Sequence, residues 1–313
     1  MIATTPQLKS KLYAAVLAAT ILILSGPATA AAPQSATKHD REFWHSIQKN
    51  HYAVPEGESA AALAHELSGY LGSPDPELRD DLAYSILDVW IIERPQLSRQ
   101  ELLPFAEEWS ANLKAGIGES GTDSVLKRSF SALMLASIAQ RDLKTQFLGD
   151  TRYHALLNDA ISYLTSERDL RGYDATKGWI HPTAHTADLL KALAENDLLT
   201  QDDQHAILAA IATRLATSPT VYSYGEQDRL ALAVRSIVTR RDFDAEYFNK
   251  WLAGLNEADN KVWKEKPLTP ATLATYQNRT YMLEALIARM STESLNPVAT
   301  AAEAKVVAII ARR

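Results

Sequence analysis

The stretch DPELRDDLAYSILDVW, Asp75–Trp90, decides the fold. Asp75 followed by Pro76 marks a helix start. The carboxylate can accept the free backbone N–H groups of the first turn, and proline lacks an N–H and has a φ that suits its first position. Leu78, Leu82, Ile86, Val89 and Trp90 then return at helical spacing, so one face is apolar, until Pro95 ends the run. Upstream, Ala61, Ala62, Leu63, Leu67 and Leu71 repeat the pattern. Downstream, Ser98 with Glu101 fits a capping box and opens a helix to about Lys114, which Pro104 should kink. After Gly116 and Gly118, Thr122 or Asp123 caps a strongly apolar helix, Val125–Ile138. Further helices are expected over 152–166, 182–195, 203–216 behind Thr200, a segment ending near Arg240, 244–255 and 270–290. The one ending near Arg240 opens on a second capping-box match, Ser223 with Glu226.

Helix after helix with no convincing strand makes this an all-α protein. Helix pairs are expected to stack as an irregular α-α superhelix of the HEAT/armadillo kind, with an α/α toroid as the alternative. No residue pattern recurs at a fixed period. Residues 31–58 read as a polar lead-in whose Phe43, Trp44 and Tyr52 dock onto the body. Residues 59–290 form one helical domain, and the alanine-rich residues 291–313 are a tail or one last helix.

The first thirty residues have a different character. Lys9 and Lys11 precede Leu12–Leu24, which carries no charge, and Ala28-Thr29-Ala30 follows Gly26-Pro27. This is the pattern of a secretory signal peptide, cut near Ala30, and it predicts a periplasmic or secreted protein. The run of thirteen residues is short against the roughly 20 that span a bilayer. Removing these residues takes the formal charge from −6 to −8. An acidic product without clustered Lys and Arg is no nucleic-acid binder. With no cysteine, stability rests on the core, and both disulfides and cysteine catalysis are excluded.

Chemistry gathers between Tyr163 and Lys191, YLTSERDLRGYDATKGWIHPTAHTADLLK. Amphipathic helices need only leucines and alanines; this segment is dense in ionisable and aromatic groups. His181, His185 and Asp188 stand four and three residues apart, one face of a helix, where two imidazoles and a carboxylate can hold a zinc ion. Pro182 makes His181 the N-cap, and the glutamate that zinc proteases place after the first histidine is absent. Glu167 or Glu226 would have to complete the sphere. The plainer expectation is that His181 caps, His185 bonds a neighbouring loop and Asp188 pairs with an arginine. Glu167 with Asp169, and Glu226 with Asp228, form two acidic clusters that can serve as catalytic acid and base on a glycosidic bond, with Tyr173, Trp179 and Tyr224 stacking on the sugar. The competing expectation pairs these acids with Arg171 and Arg229, which would hold them at low pKa. Arg128 on an apolar helix needs an acidic partner, Asp169, Asp188 or another of these acids. Alternatively, Arg128 clamps an anionic ligand, and Arg171 and Arg229 join Tyr173 and Trp179 as candidate binding residues. No phosphate-cradling glycine loop and no serine nucleophile elbow occurs.

Four motifs, RSFSALML (Arg128–Leu135), ERDLRGYD (Glu167–Asp174), KGWIHPTAHTADLL (Lys177–Leu190) and GEQDRLALAV (Gly225–Val234), are similar in order and spacing to domain-of-unknown-function family 2785. The likeness runs from about Leu78 to about Leu286. It implies a helical domain and supplies no activity. Two functions are therefore carried forward: a ligand- or partner-binding module with a polar groove, and a hydrolase using the same groove.

Overall fold

In the computed structural model, residues 39–292 and 295–313 are described. The segment read as a signal peptide, with its expected cleavage site, lies outside them. Asp75 accepts the N–H groups of Glu77 (3.0 Å) and Leu78 (3.4 Å), as its position before Pro76 predicts. The helix that follows is wider than expected. It runs as a π-helical segment, Glu77–Tyr84, then α3, Ser85–Asp88, then a second π-helical segment, Val89–Glu93. Apart from Val89, its buried residues form two columns spaced by four, Arg79/Ala83/Leu87/Ile91 and Leu82/Ile86/Trp90. At about 3.6 residues per turn such columns would drift off the core, and the wider turns keep them facing it.

The lead-in contains α1, Arg41–Lys49, with Trp44 and Ile47 buried. Trp90 Nε1 donates to the Tyr52 carbonyl at 2.7 Å. The remaining helices are α2 (Ala60–Tyr70), α4 (Arg99–Asn112), α5 (Ser124–Lys144), α6 (Gly149–Ser166), α7 (Pro182–Ala194), α8 (Gln201–Thr217), α9 (Glu226–Val238), α10 (Ala245–Val262), α11 (Pro270–Met290) and α12 (Pro297–Ile310). The capping box at Ser98 and Glu101 forms, and so does one at Thr200 and Asp203. The box expected at Ser223 does not. Gly225 takes the N-cap at φ +93°, which leaves Ser223 outside the helix, and Glu226 instead accepts the N–H of Tyr224 at 2.9 Å.

The protein is all-α. Helix α7 packs between α5 and α9, and α9 between α7 and α11, while α6, α8, α10 and α12 adjoin one another in turn. Leucine and alanine fill the interior. The described residues contain one pair of strands, β1 (Tyr173–Asp174) and β2 (Gly178–Trp179), antiparallel with Tyr173 opposite Trp179. This hairpin stands where no strand was expected. Four residues are too few for an alternating pattern to be read. No described helix is long and apolar enough to cross a membrane.

Candidate functional site

The segment between α6 and α7 is fixed by buried arginines. Arg128 on α5, fully buried, directs Nε to Glu167 Oε2 at 2.6 Å and Nη2 to Oε1 at 3.2 Å. Its Nη1 donates to the Ala115 carbonyl and the Ser124 hydroxyl. Glu167 Oε1 also accepts the N–H groups of Arg168 and Asp169. Two residues on, Asp169 accepts Arg171 Nε (2.9 Å) and Nη2 (2.6 Å) and the N–H of Gly121 (2.9 Å). Burial pushes the Asp169 carboxyl up, but Arg171 and Gly121 outweigh it and the net shift is downward. Arg214 of α8 holds the Leu164 and Glu167 carbonyls, and Arg79 holds those of Ser73 and Trp179. The hairpin turn closes on Asp174, which accepts from the Thr176 hydroxyl and from two backbone amides and sits at about 2 as a result.

Next to this loop a cleft of about 540 Å³ opens, walled by Tyr84 and Asp88, by Ser137 of α5, by His185 and Asp188 of α7, and by Arg229 of α9. Its rim is aromatic. Tyr173, Trp179 and Tyr224 are 45%, 41% and 47% exposed, yet they touch, with centroids 5.1 Å (Tyr173–Trp179) and 6.3 Å (Trp179–Tyr224) apart. Trp179 stacks inward on His181 at 4.8 Å. Gly172 makes the rim possible: a Cβ there would meet the Tyr224 ring at 2.3 Å and Glu226 Oε1 at 2.6 Å.

His181 occupies the left-handed region, φ 51° and ψ 38°. Pro182 disfavours the right-handed helical region for the residue before it, and the left-handed turn aims the ring into the cleft wall. A non-glycine residue held there stores about 1–3 kcal/mol. The ring is buried and its Nε2 has no hydrogen-bond partner among the described residues. Glu226 Oε1 lies 3.6 Å away, outside bonding range. Burial, and then the charge of Arg229, lower His181 to about 4, so the ring is neutral at pH 7. His185, more deeply buried, is also held well below its ordinary value. Burial raises Asp88, Glu226 and Asp188, the last despite Arg229.

The predicted zinc set does not converge. His185 Nδ1 lies 2.8 Å from the Ser129 hydroxyl, and Asp188 takes Arg229 Nη1 on both oxygens at 2.8 and 2.6 Å. No three His, Asp or Glu groups among the described residues are placed to hold a metal ion. His181 sits at the N-cap without capping through its side chain, because its left-handed backbone turns the ring away from the helix end. The four candidate acids are dispersed: Glu167 lies under Arg128, Asp169 under Arg171, and Asp228 outside against Arg289 (2.8 and 2.6 Å). Only Glu226 lacks an arginine partner, and it is packed behind His181 against Gly172. Of the proposed binding residues, Trp179 and Arg229 line the cleft and Tyr173 joins its rim, whereas Arg128 and Arg171 are spent on the loop. Sequence reading missed Tyr84, Asp88, Ser137 and Gln140, cleft residues that no motif marks, and the loop-holding Arg79 and Arg214.

No curated protein and no solved structure matches the chain. Residues 113–288, more than half of the chain, match the family described as "Protein of unknown function (DUF2785)". All four motifs fall inside the match, whereas the upstream likeness from about Leu78 lies outside it. The chain therefore belongs to the DUF2785 family.

Proposed function

We propose that this is an exported ligand-binding module whose site is the cleft between the clamped loop and helices α5, α7 and α9. One observation carries the reading: the buried, unpartnered Nε2 of His181, held by a strained backbone on the wall of a cleft. A buried polar atom without a partner costs about 1–3 kcal/mol, and a bound ligand removes that cost. The volume of about 540 Å³ suits a small molecule and not a protein surface. The loop's own arginines are spent on carboxylates and carbonyls, so the cleft wall is organised before any ligand arrives, which favours affinity. Export rests on the charged, apolar and small-residue order of the first thirty residues. The hydrolase alternative is less favoured, since Glu167, its proposed partner for Glu226, is bound to Arg128.

Trp179 and Trp263 are the exposed tryptophans of the described residues. A Trp263→Phe background therefore leaves Trp179 as the accessible reporter. Titrating a small-molecule library against it should yield hits that shift the emission, and those shifts should vanish in Trp263→Phe/Trp179→Phe. Hits whose binding, followed by calorimetry, is the same in both backgrounds and in His181→Phe would place the site elsewhere.

A further inference from the structure

The polar groups left unspent on the cleft wall indicate which ligand it takes, given the binding role proposed above. Ser129 donates its one hydroxyl hydrogen to the Ile180 carbonyl. The contact between Ser129 Oγ and His185 Nδ1, at 2.8 Å, must then be an N–H of the imidazole donating to the hydroxyl. That assigns the tautomer: neutral His185 carries its proton on Nδ1 and keeps Nε2 as a bare acceptor. Asp88 accepts the Ser137 hydroxyl on Oδ1 at 2.6 Å, and its Oδ2 takes no hydrogen bond from any described residue. The Gln140 amide and the Tyr84 hydroxyl are uncommitted among the described residues too. The cations, by contrast, each already face an acid. Arg229 places Nη1 against both oxygens of Asp188, and Lys191 pairs with Glu195 at 2.9 Å.

An anion finds here no cation whose charge is not already matched by an acid, and a purely apolar ligand would leave the acceptors dry. A donor-rich neutral molecule satisfies both conditions. The rim adds the other half: exposed Trp179 and Tyr224 offer apolar faces beside a polar pit. Pyranoses have that division, with C–H faces for the rings and equatorial hydroxyls that both donate and accept.

We propose that the cleft binds a neutral mono- or disaccharide, with one ring face on Trp179 and Tyr224 and hydroxyls donated to Asp88 Oδ2 and His185 Nε2. The contact with Asp88 is charge-assisted, so Asp88→Asn should weaken binding about tenfold or more while keeping the shape of the cleft.

The test is a thermal-shift panel on the chain from Ala31 to Arg313. It contains glucose, galactose, N-acetylglucosamine, maltose and cellobiose, set against glucuronate, free amino acids and spermidine. At least one neutral sugar is expected to raise Tm by about 5 °C at about 100 times its Kd. The shift should disappear in Trp179→Ala and shrink in Asp88→Asn, variants whose unliganded Tm stays within a few degrees of the native value. Stabilisation by charged compounds alone, lost in Trp179→Ala, overturns the sugar assignment and leaves the binding cleft standing. If nothing in the panel binds, or sugars bind equally to both variants, both readings fall.

Discussion

Removing one side of the Arg128–Glu167 pair strands the other charge among buried atoms, so Arg128→Ala is expected to cost about 3–5 kcal/mol. The double change Arg128→Met/Glu167→Leu strands nothing and should cost much less. Equal losses in calorimetry would mean the pair is not buried as described. His181 carries a pH signature. Between its ordinary value near 6.5 and its folded value of about 4, the unfolded chain binds a proton that the folded chain refuses. Its contribution is therefore complete above pH 6.5 and lost as pH falls through about 4, roughly 3 kcal/mol in all. Burial raises Asp80 to about 6, which acts with opposite sign over an overlapping window. The clean measurement is thus the difference between native and His181→Asn, a residue that tolerates the left-handed region. That difference should shrink toward low pH; a pH-independent difference would mean His181 titrates normally. The sequence placed Arg128 beside an acid and His181 before a proline. It carried no sign that His181 Nε2 would lack a partner, since that depends on atoms contributed by other helices.

At the scale of elements, the loop leading into α5 and the one leading into α7 are joined through Asp169 and the Gly121 N–H. Asp169→Ala should therefore speed hydrogen exchange at Gly121 by about tenfold or more, and leave amides in the middle of α10 unchanged. Uniform acceleration would show that the link is global and not local. Helix identities were readable here because capping residues and apolar periodicity act over a few residues. The π-helical turns were not readable: Leu78, Leu82, Ile86 and Trp90 stand four apart, a spacing that an α-helical face also gives. The Ser223 box misled, since the same S-x-x-E spacing fits a helix starting two residues earlier. Gly225 in the left-handed region moved the start to Glu226.

At the scale of the molecule, motifs separated in the chain do meet, as Arg128 on Glu167 and Arg229 on Asp188 show. What the sequence could not tell was which charges would be spent in holding the loop and which would face the cleft. Arg128 and Arg171 were expected either to pair with acids or to bind a ligand, and they pair, while Asp88 and Gln140, which no motif marks, face the cavity. Such partitioning is decided by packing between helices, on which local sequence is silent. Export makes its own prediction: the mature protein from the exporting host should begin at or just after Ala31 by N-terminal sequencing. A chain beginning at Met1 would contradict it. The most direct measurement for the account as a whole is a set of crystals soaked with neutral sugars and small polar fragments. Bound molecules are expected to gather against Trp179, within hydrogen-bond reach of Asp88 and His185. Density that gathers at other surfaces, with this cleft holding only water, would contradict it.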